Sequence, residues 1–200
     1  MNPRTRALLA ALPLVAALGL AGCTGTAGAS GDMPGMDHGS QTHTESAAGA
    51  TPADIMFVTM MIPHHEQAVE MADIVLAKDD VDPRVVAIAE RIQAAQGPEI
   101  ERMQGRLEDW GVDPDPEGTG MDHGDGMMTE DDMTALREAD GATAGRLFLE
   151  QMVVHHEGAV EMAQAALDDA ADADVLALAQ QVIDDQTAEI AEMQQLAESL

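Results

Sequence analysis

The chain repeats itself. His64-His65-Glu66-Gln67-Ala68-Val69-Glu70-Met71-Ala72 returns as His155-His156-Glu157-Gly158-Ala159-Val160-Glu161-Met162-Ala163, an offset of 91 that also relates Phe57 to Phe148 and Met61 to Met152. A second block, Gln96, Glu99, Ile100 and Met103, recurs as Gln186, Glu189, Ile190 and Met193 at an offset of 90. The unit is therefore two segments long, with one residue lost between them in the second copy. A tandem unit restricts the fold more than any other feature, because each copy must fold alike and bury a matching surface.

Periodicity makes both segments helical. A first pattern runs from about Pro52, with Thr51 as N-cap, to about Lys78. With His64 set at zero and 100° added per residue, Phe57, Met60, Met61, Ala68, Met71 and Val75 fall within about 60° of it. His64 thus points into an apolar stripe, His65 lies at its edge, and Glu66 and Glu70 lie on the far side. Pro63 should kink this helix and free the Thr59 carbonyl; the second copy has Val154 there. A second helix, about Pro83 to Trp110, carries the stripe Val85, Ile88, Ile92, Gln96, Glu99, Met103 and Leu107. A short lead-in from Thr129 to Ala139 breaks at Gly141 and is followed by the helix of the second His pair, about Ala142 to Ala170. The last helix, about Asp174 to Ser199, has Val175, Leu178, Val182, Gln186, Glu189 and Met193 in its stripe. Two helical hairpins without a strand pattern predict an all-α four-helix bundle with pseudo-twofold symmetry over residues 51–200. A buried carboxylate needs a partner, so the wheels predict that Glu99 meets His64 and Glu189 meets His155, with Gln96 and Gln186 beside them.

The N-terminus has a different role. Arg4 and Arg6, an apolar run from Ala7 to Leu20 and small residues before Cys23 mark a secretory signal over residues 1–22. Leu20-Ala21-Gly22-Cys23 looks like a bacterial lipobox, and Cys23 is the only Cys, unable to form an internal disulfide. The expected location is the cell membrane, on the extracytoplasmic side, through lipid on Cys23. Residues 23–50, rich in Gly, Ser, Thr and Ala, read as a flexible tether. A net charge of −28, two Phe, one Trp and no Tyr argue against nucleic acid and against docking on anionic lipid. No protein partner is legible.

The pentapeptide Gly35-Met36-Asp37-His38-Gly39 in that tether recurs as Gly120-Met121-Asp122-His123-Gly124, followed by Met127 and Met128, in the Pro/Gly-rich break from Val112 to Met128. Gly on both sides disfavours regular structure, so Met36, His38, Met121 and His123 are not core residues. Thioether with imidazole suits Cu(I), and imidazole also accepts Cu(II). The same donors recur on the helices as Met61, His64, His65 and Met71, and as Met152, His155, His156 and Met162. Spacings of three, four and seven place such side chains on one helical face.

Two copies of His-His-x-x-Ala-x-x-Met-Ala, each followed by Gln-x-x-Glu-Ile-x-x-Met, resemble an exported family catalogued as domain of unknown function 305 over roughly residues 52–199. The resemblance implies a ferritin-like bundle, with some members tied to periplasmic copper binding and copper tolerance. It also implies an Asp at the start of each His-bearing helix: Asp54 fits, whereas its counterpart is Gly145. The reading is an extracytoplasmic copper or silver binding protein that sequesters or hands over metal without catalytic turnover. One alternative is a partner-binding lipoprotein whose His and Glu form buried pairs and whose Met residues are ordinary core. Another is a ferritin-like metal oxidoreductase, although the Glu-x-x-His element of di-iron bundles does not occur: Met61, Ile62, Met152 and Val153 stand three residues before the four His.

Overall fold

The computed structural model describes residues 49–113 and 126–200. Five helices follow in order: α1 (Pro52–Leu76), α2 (Pro83–Trp110), α3 (Glu130–Glu138), α4 (Gly141–Asp169) and α5 (Ala173–Glu198). No strand occurs among the described residues. None of their helices is long and apolar enough to cross a membrane. Cys23, Met36, His38, Met121 and His123 lie outside the described residues, as do the signal segment and nearly all of the tether.

The sequence sets the helix limits through side chains that satisfy the first free N–H groups. Thr51 and Asp54 form a capping box on α1, and Thr129 and Asp132 form another on α3. Asp140 and Asp172 cap α4 and α5. Pro63 and Pro98 sit inside α1 and α2 without ending them, because the long buried stripes hold both helices to their neighbours.

Packing follows the repeat. α1 pairs with α2, α4 pairs with α5, and the two hairpins meet along a seam between α1 and α4. This is the expected all-α, ferritin-like four-helix bundle with pseudo-twofold symmetry, with the short α3 laid against α1 and α4. The core is divided in two. One apolar half joins Met71, Val75, Ile88, Phe148, Met152 and Met193; the other joins Phe57, Met61, Met103, Ala163, Leu178 and Val182. On every long helix the residues between these halves are polar: His64 and His65, Gln96 and Glu99, His155 and His156, Gln186 and Glu189.

Asp54 is a latch. Buried at the start of α1, it accepts the N–H groups of Ala171 and Asp172 in the α4–α5 turn, both at 3.0 Å, while its other oxygen takes the Thr51 N–H and hydroxyl, both at 2.7 Å. Burial pushes its carboxyl up, but the hydrogen bonds from Thr51, Asp172 and Ala171 prevail and hold it below the ordinary 3.8. Gly145 offers no such group, and the α1–α2 turn is held in another way. Gly141 lets the backbone of Asp79 lie so close that a Cβ would sit 1.8 Å from its carbonyl oxygen. Asp54→Ala should cost about 2 kcal/mol, from a lost cap and two stranded N–H groups. Because the folded carboxyl ionises at lower pH than the unfolded one, its stabilisation is complete above pH 3.8 and is lost as pH falls through the folded value. Acid unfolding followed by circular dichroism should therefore show a shallower acid limb in the variant. An unchanged limb would mean that Asp54 is not a latch.

Candidate metal centre

The polar layer is a set of pairings between neighbouring helices. His65 Nε2 lies 2.9 Å from a Glu99 oxygen across α1 and α2, and His156 Nε2 lies 2.8 Å from a Glu189 oxygen across α4 and α5. Glu99 also accepts from Gln181 on α5 at 2.7 Å. His64 and His155 meet each other across the seam, with ring centroids 3.8 Å apart and planes inclined by 43°. The expected pairing is thus corrected by one residue: Glu99 and Glu189 take the second His of each pair, not the first. One step along a helix turns a side chain through about 100°, so adjacent histidines face different neighbours. The first faces the opposite hairpin and the second its own.

All four imidazoles are buried, including His65, which the wheel put at the stripe edge. Gln96, Glu99 and Gln186 are buried as well, and Glu189 is half-buried. Met61, Met71 and Met152 are fully buried and Met162 is half-buried. The thioethers do not share one surface with the histidines. Met61 lies in one apolar half, and Met71 and Met152 lie in the other.

Chemically the layer is short of partners. Nδ1 of His65 and of His156 is buried without a hydrogen bond, as is Oε1 of Gln96 and of Gln186. A carboxylate that holds Nε2–H of an imidazole presents the Nδ1 lone pair, the second-sphere arrangement commonly found behind a metal-bound His. Burial, followed by the neighbouring His64, His156 and His65, pushes His155 well below its usual 6.5, with the backbone of His64 offsetting only part of this. His155 is therefore neutral near pH 7, as a ligand must be. Among the described residues no three His, Cys, Asp or Glu side chains converge on one point.

The carboxylate and amide side chains of the layer face a groove between α2 and α5. These helices are bridged by polar side chains, including Arg91–Glu192, Glu99–Gln181 and Arg106–Asp172. The groove between them, about 510 Å³, is lined by Gln96, Glu99, Gln186 and Glu189 together with Ala95 and Val182.

The family model described as Domain of unknown function (DUF305) matches residues 54–197. The chain belongs to this family. A DUF305 fragment from Deinococcus radiodurans is 34% identical, with a TM-score of 0.66 over 76% of this chain and 99% of that one. A DUF305 protein from Streptomyces coelicolor described as secreted is also 34% identical, with a TM-score of 0.66 over 72% of this chain and 91% of that one. CopM in its Cu(II)-bound form is 31% identical, with a TM-score of 0.62 over 73% of this chain and 96% of that one. CopM has also been solved in Cu(I)-bound and Ag-bound forms. A comparison with curated proteins found no match.

Proposed function

We propose that this DUF305 protein is a lipid-anchored copper-binding protein outside the cytoplasmic membrane, which takes up Cu(I) or Cu(II), accepts silver, and stores the metal or hands it on. The observation that carries the reading is the layer of four buried imidazoles, two of them backed by carboxylates, with methionines in the apolar halves on either side. The likeness to CopM, solved with copper in both oxidation states and with silver, supports the choice of metal. The charge of −28 favours the approach of cations, and Cys23 supplies the attachment. His65 and His156, oriented by Glu99 and Glu189, are the ligands held most firmly, and Met36, His38, Met121 and His123 would add weaker sites.

Two measurements test this. Purified protein without its signal segment should bind copper under anaerobic and aerobic titration, and failure to bind either form would sink the reading. In cells, Cys23→Ala should move the protein from the membrane fraction to the soluble exported fraction. Retention in the membrane without an accumulated precursor would refute the lipid anchor.

A further inference from the structure

Within the nine-residue block that opens on the histidines, the repeat breaks at one position: Gln67 in the first copy corresponds to Gly158 in the second. Each follows the first His of its pair by three residues and so lies on the same helical face, one turn further along. Both are used to hold the segment Gly126–Met128. The Gln67 amide pairs with the Met128 backbone in both directions, donating to the carbonyl at 2.9 Å and accepting the N–H at 2.7 Å. At the other end Gly126 has φ +94°, and a Cβ there would lie 2.9 Å from both Gly158 Cα and the Val154 carbonyl oxygen. The segment is therefore a strap fixed to α4 at one end and to α1 at the other. It crosses the seam in which the rings of His64 and His155 meet.

Met128 packs against the apolar half that contains Met71 and Met152. Met127, between the two anchors, is half-exposed. Two residues of extended chain span about 7 Å, so Met127 has little freedom to lie anywhere but over the seam. Met127 thus brings a soft, neutral thioether donor to the solvent side of the α1–α4 seam, away from the α2–α5 groove.

Resting on the copper reading above, we propose that Met127 is a relay ligand for a soft monovalent ion, held over the α1–α4 seam by the Gln67–Met128 clamp and exchanging the ion between solvent and the buried histidines. The step is a ligand exchange. A metal–sulfur bond to Met127 breaks as a metal–nitrogen bond to an imidazole forms, the ion stays monovalent, and no electron is transferred. A single thioether holds such an ion weakly, which suits passage and not storage. Gln67 is a positioning residue: it touches the strap backbone and acts through it.

The test uses the whole protein loaded anaerobically with Cu(I), with transfer to an excess of a coloured cuprous chelator followed by stopped-flow absorbance. Met127→Leu keeps volume and removes sulfur, and Gln67→Leu removes the clamp. Both should bind the same amount of Cu(I) as the parent at equilibrium and release it at least tenfold more slowly. Parental rates in Met127→Leu would overturn the proposal. So would a slowing confined to Gln67→Leu, which would make the strap a cover whose sulfur is idle. If the parent binds no Cu(I), the copper reading itself has failed and the relay falls with it, a result distinct from normal binding with unaltered release. Circular dichroism checks the fold, and the half-exposed Met127 position keeps the test open should Gln67→Leu unfold.

Discussion

Glu99→Ala should destabilise the metal-free bundle by about 3 kcal/mol, because truncation leaves the buried His65 Nε2 and the Gln181 amide without their acceptor. For a domain of this size that corresponds to a fall in melting temperature of roughly 10 °C. Glu99→Gln keeps an acceptor oxygen for His65 and should cost less than half as much. Glu189→Ala should also cost less: its side chain is 19% exposed against 11% for Glu99, and it has no counterpart to Gln181. The order Glu99→Ala, then Glu189→Ala, then Glu99→Gln, measured by urea unfolding, is specific to the pairing described. Equal costs at the two sites would show that the Gln181 bond contributes nothing. If the carboxylates also orient ligands, Glu99→Gln should weaken copper binding at least tenfold while leaving the fold intact.

The second large effect separates the two kinds of proposed ligand. Ligands on the long helices are held by the core, so metal bound there stabilises the fold by linkage. At free copper a thousandfold above Kd this adds about 4 kcal/mol, or roughly 10 °C in melting temperature. A Gly-rich segment costs more chain entropy to order around an ion than a helix already formed does. Replacing Met36, His38, Met121 and His123 together should therefore lower the number of copper ions bound while preserving the rise in melting temperature. Replacing His64, His65, His155 and His156 should abolish the rise. Each variant is first melted without metal, since four buried imidazoles also contribute to packing. A folded His variant that keeps the full rise would move the tight site away from the polar layer.

Much of the fold was legible because stripes, caps and the repeat agree. Thr51 caps α1 as its place before the first stripe predicts, and Asp82, Asp140 and Asp172 are found to cap the other long helices in the same way. The burial of Gln96, Glu99 and Gln186 followed from their place in otherwise apolar stripes. The partner of each Glu was not legible, because a wheel gives the direction of a side chain but not which helix stands in that direction. His64 and His65 diverge by about 100°, and only the arrangement of four helices decides that one faces α4 and the other α2. The strap was missed for another reason. Met127 and Met128 stand in a Pro/Gly-rich break, and the change from Gln67 to Gly158 does not say which segment lies against it. The usable signal was the mismatch itself, a polar side chain in one copy against the absence of any side chain in the other, beside otherwise matched histidines.

Each apolar half of the interior takes residues from both hairpins. A single hairpin therefore contains parts of two interiors and completes neither. Two separate hairpins could bury the same surfaces only as a twofold dimer, in which every residue would have an identical mate. Carrying both in one chain removes that obligation. A substitution in one copy is no longer made in the other, so Asp54 can latch a turn while Gly145 leaves its own to backbone packing, and Gln67 can grip a strand of chain that Gly158 makes room for. A dimer of identical hairpins could not hold one strap across its axis without offering the same place to a second, so a one-sided approach to the histidines follows from joining the copies.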